Sequence, residues 1–207
     1  MALVDAHCRF IFIDGKNGRC NDSSVFKESK LWEGIQSKTL HIPEPKALSN
    51  SQEVLPFVIV GDDAFALNDN LMKPYPERGL THEKKIFNYR LSRARRIVEN
   101  AFGHLTNFQI LLKTINLSVE KVQVLTIACC ILHNFITERQ PNSALTRRLC
   151  DGLDEDCNLL PVLEGLPSQG GNRSSMTAQE FRNKFRRYFN NEGKVPWQDK
   201  AIEKGNF

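Results

Sequence analysis

Short apolar blocks open the chain, and helical spacing follows them. "MALVD" and "RFIFID", separated by "AHC", predict two strands within residues 1–14, and "GKNGRCND" predicts a turn after them. In "SVFKESKLWEGIQ" the residues Val25, Leu31, Trp32 and Ile35 fall on one side of a helix. "HIPEPKALSNSQEVLP" holds three prolines and reads as a surface loop. "FVIV" is apolar throughout and too short for a helix, the pattern of a buried central strand. After the proline-bearing "MKPYPERGL", Thr81 is placed to cap a long helix, "HEKKIFNYRLSRARRIVENAFGHL". Its stripe is Ile86, Ala94, Ile97, Val98, Ala101, Phe102 and Leu105. Ser118 is placed to cap a second, "VEKVQVLTIACCILHNFITER", apolar on nearly every side and therefore expected to be buried.

The pattern then breaks down. Residues 140–176 mix Gly, Pro, Ser and acidic side chains without periodicity, which predicts a flexible linker. Thr177 and Glu180 form a capping-box pattern before "FRNKFRRYF", where Phe181, Phe185 and Phe189 lie four apart. This stripe predicts a C-terminal helix, residues 177–207 with its tail, that packs back on the domain or on a partner. The organisation expected is a domain over 1–139, a linker over 140–176 and that helix. No internal repeat is present.

Composition narrows the class. With 41% hydrophobic and 25% charged residues, 207 residues suit an ordinary globular protein with one medium domain. The longest apolar run, "VQVLTIACCILHNFI", contains Gln123, Thr126, His133 and Asn134, so no membrane partner is expected. "MALVDAHCRF" lacks the layout of a secretory signal, and the protein is expected to stay inside the cell. The six cysteines show no disulfide framework and are expected to be thiols. Cys130 and His133 could share a helix face, but no second pair with zinc spacing accompanies them. Net charge is +4 and unevenly placed: residues 80–139 carry nine Lys or Arg against four Asp or Glu. That excess suits a polyanion partner or simply a solvated helix face.

The candidate chemistry lies in carboxylates. Asp62 and Asp63 follow "FVIVG" at the end of a predicted strand, where open α/β sheets place ligand-handling groups. On the long helix, Asn88, Ser92, Arg95 and Glu99 fall close to one line away from the apolar stripe. A strand-end carboxylate facing a helix carboxylate suits Mg²⁺ or Mn²⁺, and paired ions of this kind assist phosphodiester cleavage. The plainer readings are a turn capped by Asp62 and Asp63, and an Arg95–Glu99 pair one helical turn apart.

"VIVGDDAFAL", "KPYPERGLTHEKKIFNYRLSRARRIVENAFGHL" and "ACCILHNFI" together resemble the catalytic domain of PIF/Harbinger-type DDE transposases and their domesticated nuclease-like relatives. The resemblance covers roughly residues 1–139, with a weaker likeness at "FNNEGKVPWQ". It implies an α/β fold of the RNase H-like type, a mixed sheet flanked by helices, with three carboxylates gripping divalent metal ions. Asp62 matches the second carboxylate and Glu99, in "VENAFG", the third. Asp63 falls beside them in a supporting place, Asp22 matches a recurrent aspartate of undefined role, and "LHN" belongs to a structural helix. The first aspartate would lie upstream of "ALVDAHCRF", so the expected sheet lacks its first strand; Asp5 and Asp14 do not match that motif. The resemblance further implies DNA as substrate, phosphate contacts from Arg90, Arg93, Arg95 and Arg96, nuclear residence, and a protein partner supplying DNA binding. With an incomplete triad, the competing expectation is a non-catalytic remnant that binds DNA or protein. An unrelated α/β domain with "GDD" as a turn is the remaining reading.

Overall fold

The computed structural model describes residues 1–15, 22–139 and 175–205. The fold is mixed α/β. In place of one sheet, the described strands form three separate two-stranded ladders. The chain divides into two compact units, which the long helix α3 (His82–Leu105) joins by belonging to both. Of the described residues, one unit holds 1–15 and 96–139, and the other holds 22–95 and 175–205.

In the first unit, β1 (Ala2–Val4) pairs antiparallel with β2 (Phe10–Ile13), as the alternating blocks predict. Asp5 closes the connection: one carboxylate oxygen accepts from the His7 and Arg9 amides, and the other from Arg9 Nε. Cys8 adopts a left-handed φ of 59° in that turn. The hairpin is fastened to α4 (Val119–Arg139) by polar side chains. Asn134 donates to the Phe10 carbonyl and accepts from the Phe10 amide, both at 2.8 Å. Gln123 donates to the Gly15 carbonyl at 2.9 Å. His133 Nε2 lies 2.8 Å from the Cys8 carbonyl, which can only accept, so this nitrogen carries the proton. Cys8, Phe10, Ala101, Leu105, Cys129 and Cys130 form the core here, which makes Cys130 and His133 packing residues.

The expectation that α4 is buried on nearly every side fails. Only Cys129, Cys130 and His133 are buried, whereas Val124, Ile127, Ile131, Leu132 and Phe135 are exposed on the opposite face. By length and composition α4 could also cross a bilayer, a property it shares with core helices. Gln123, His133 and Asn134 of this helix are committed to the hairpin and the residue after it. Replacing Asn134 by Ala should therefore cost about 2–3 kcal/mol, because both Phe10 backbone groups lose their partner. Hydrogen exchange at the Phe10 amide would read this; protection as in the parent chain would refute it.

In the second unit, the segment read as one helix is two, α1 (Asp22–Lys27) and α2 (Lys30–Gln36). Ser29 separates them by accepting from the Trp32 amide as an N-cap, a role that competes with continuing the helix. Within the predicted proline loop, β3 (Lys46–Ala47) and β4 (Val54–Leu55) form a small antiparallel ladder. "FVIV" contributes only β5 (Ile59–Val60), half-buried and paired parallel with β6 (Leu71–Met72), so it is not a buried central strand.

α3 has the predicted bounds, with Thr81 Oγ1 accepting from the Lys84 amide at its start. Its buried face here also includes Phe87, Tyr89 and Leu91, while Ala94 is exposed. The added burial comes from α5 (Met176–Asn190), which begins before Thr177 and is capped by Ser175 accepting from the Ala178 amide. Ala178, Phe181, Phe185 and Phe189 pack with Leu67, Met72, Tyr75, Phe87 and Leu91. Ile202 of α6 (Gln198–Glu203) packs with Ile86 and Tyr89. The C-terminal helix thus packs back on the domain. The predicted linker lies outside the described residues up to 174.

Candidate metal centre at the end of the parallel strands

Asp62 follows β5 after Gly61, and local structure orients it. The Gly61 amide donates to the Met72 carbonyl, extending the parallel ladder to the residue before the aspartate. A Cβ on Gly61 would come within 3.0 Å of the Phe65 ring, which would have to give by a few tenths of an ångström. Asp62 Oδ1 then accepts from the Ala64 amide at 2.9 Å, an Asx turn that orients the carboxylate. The other oxygen, Oδ2, faces Arg95 Nη2 at 3.9 Å. Both side chains are about 30% exposed (29% for Asp62, 32% for Arg95), so solvent screens the pair.

Lys73, just past β6, was not singled out by the sequence. Its Nζ donates to the Asp63 carbonyl at 2.6 Å and the Phe65 carbonyl at 2.9 Å, clipping the loop after Asp62. Burial pushes its pKa down, the Asp63 and Asp62 carboxylates pull it back up, and Arg182 opposes them. The sequence signal was slight: "LMK" is legible as a strand end only once "LM" is known to pair with "IV". Asp63 itself is exposed, as is Glu99, which lies one turn beyond Arg95 on α3.

Asn88, Arg90 and Arg93, on the predicted polar line and basic face, have structural work. Asn88 pins the Tyr75 backbone, accepting from its amide and donating to its carbonyl. Arg90 donates to the Gly193 carbonyl and to Gln198 Oε1, and its guanidinium lies 4.8 Å from the Phe189 ring centre. Arg93 donates to the Tyr89 hydroxyl and approaches the Trp197 ring at 5.7 Å. Arg96 is partly exposed on α3. Two of the four arginines expected at phosphates are therefore tied to the aromatic packing of α5 and α6. A shallow cavity of about 530 Å³ along α2, bordered by Lys27, Trp32 and Gln36, contains none of these residues.

The donor chemistry suits a hard divalent cation. Asp62 offers a partly exposed carboxylate, and Mg²⁺ characteristically takes one or two carboxylates and keeps several waters. Among the described residues no three His, Cys, Asp or Glu side chains converge on one point. The fit is to a water-completed site and not to a closed protein cage.

The sequence matches the family model of the DDE superfamily endonuclease over residues 1–134. "Protein ALP1-like" of Arabidopsis thaliana is 28% identical over 142 residues, covering 67% of this chain and 35% of that protein. The chain thus spans about a third of the length of this relative. No solved structure matches it significantly. The matched region contains both carboxylates and the helix between them, and the resemblance read from the motifs is borne out. This chain belongs to the DDE superfamily endonuclease family.

Proposed function

We propose that the chain is part of a transposase-derived, DDE endonuclease-like domain of the RNase H-like type, in which Asp62 and Glu99 are carboxylate ligands of a divalent metal ion. Family membership over residues 1–134 supports the reading, and by motif resemblance Asp62 and Glu99 match the second and third carboxylate positions. Mg²⁺ or Mn²⁺, when bound, would supply an activated water and neutralise charge developing at a DNA phosphodiester. The chain's own contribution is orientation. The Ala64 amide holds one oxygen of Asp62, Arg95 faces the other, and Lys73 holds the loop that carries Asp63. We assign DNA phosphate contact chiefly to Arg96, because Arg90 and Arg93 serve packing. Nuclear residence follows from DNA as the substrate, and a partner protein would supply sequence reading.

The test is calorimetric titration of Mn²⁺ into the folded chain and into Asp62→Ala and Glu99→Ala. Micromolar to millimolar binding in the parent, weakened at least tenfold in each variant, is expected. Binding that survives both substitutions would remove the assignment. A second reading, a non-catalytic interaction module, draws on the exposed apolar face of α4 at Val124, Ile131 and Phe135. A folded chain that binds no Mn²⁺ would favour it.

A further inference from the structure

We propose that the exposed face of α4 is a self-association surface, on which the same helix of a second copy of the chain lies antiparallel. The inference is independent of the metal-binding reading of Asp62.

The face has the spacing of a helix-pairing seam. Val124, Ala128, Ile131 and Phe135 are all exposed, and they follow one another at steps of four, three and four residues. That alternation keeps side chains on the contact line between two helices. Ile127 and Leu132, also exposed, widen the line on either side. A contiguous apolar strip of this kind is uncommon on a protein that stays alone in water. The opposite face is already committed. There Gln123, His133 and Asn134 bond to Gly15, Cys8 and Phe10, and Cys129 and Cys130 are buried in the core of this unit.

Charge and side-chain size select the occupant and its direction. At the same spacing, Lys121 stands three residues before the strip and Glu138 three residues after it, so the seam begins on a cation and ends on an anion. Both are exposed, and neither forms an ion pair among the described residues. In an antiparallel pair centred between Cys129 and Cys130, Lys121 of one copy lies level with Glu138 of the other. Val124 then meets Phe135 and Ala128 meets Ile131, a smaller side chain against a larger one in each layer. A parallel pair would set Lys121 against Lys121, Glu138 against Glu138 and Ala128 against Ala128, which repels at both ends and leaves a gap in the middle. A bilayer, for which α4 is long enough, gains nothing from this complementarity. One helix pair is smaller than a standard interface, so a reversible dimer with a micromolar or weaker dissociation constant is expected.

The experiment is sedimentation equilibrium of the full chain over a concentration series, with Ile131→Asp, Lys121→Glu, Glu138→Lys and the double charge reversal, each verified as folded by circular dichroism. The parent should associate to a dimer, and Ile131→Asp should be monomeric. Each single reversal replaces two attractive pairs by two repulsive ones and should weaken the dimer about tenfold, whereas the double reversal should restore it. A parallel pair predicts no rescue, because the single and double reversals then leave like charges facing each other as in the parent. Dimerisation that survives Ile131→Asp, or a double reversal no tighter than the single ones, overturns the proposal. So does a parent chain that is monomeric throughout; its co-sedimentation with phosphatidylcholine vesicles would then assign the face to a bilayer.

Discussion

A chain ending at residue 174 is expected to lose cooperative folding of the unit that carries Asp62, although the family match ends at residue 134. α5 supplies Phe181, Phe185 and Phe189 to the cluster around Phe87, and Phe87 itself is wholly buried. At about 1.5–3 kcal/mol for each large apolar side chain fully buried, the three phenylalanines contribute on the order of 5 kcal/mol even when only partly covered. Truncation also exposes what they cover, and severs the bonds of Arg90 to Gly193 and Gln198. The total rivals the whole stability of an ordinary domain, about 5–15 kcal/mol. The check is hydrogen exchange in the Phe87–Leu91 stretch of α3, compared between the full and shortened chains. Equal protection in both would show that the C-terminal helices are dispensable. Phe87→Ala, at a cost of about 3–5 kcal/mol, should partly reproduce the truncation without removing any backbone.

Acid should loosen the other unit through His104. This imidazole is 5% exposed, its Nδ1 has no hydrogen-bond partner, and its ring centre lies 5.2 Å from that of His133. Burial first, and the neighbouring His133 second, push its pKa down from 6.5 to about 4. A histidine whose pKa is depressed in the folded state binds its proton more readily when unfolded. Its neutral form therefore gives full stability above about pH 6.5, and that stability is lost as pH falls from there toward 4. The shift corresponds to about 3 kcal/mol at the acid end of the window. Thermal unfolding at pH 7.5 and at pH 4.5 should differ accordingly, and His104→Phe, which fills similar space without titrating, should flatten the difference. An unchanged pH dependence in that variant would transfer the effect to other groups.

Legibility from sequence followed the range of the forces involved. The bounds of α3 were readable because a threonine cap and a repeating apolar stripe are both local. The β1–β2 hairpin was readable for the same reason, since its two blocks lie within 14 residues. The break between α1 and α2 was missed because Ser29 can either continue a helix or cap one. Ser175 was likewise passed over for Thr177, because a capping-box pattern does not say which of two hydroxyls the amides will use. β6 was missed because "LM" acquires meaning only by pairing with "IV" across a loop. The candidate site divides in the same way. Asp62 and Glu99 could be named from motif and family, whereas Lys73 and the pairing of Arg95 with Asp62 required coordinates.

The sequence by itself determined the family, the long helix and the opening hairpin, because motif, capping and periodicity are written in neighbouring residues. Tertiary structure alone decided which face of α4 is covered, since both faces are apolar and composition cannot choose between them. It also decided what the arginines do. A guanidinium is equally suited to a phosphate, a carboxylate or an aromatic ring, and only the approach of Phe189, Trp197 and Asp62 selects among the three.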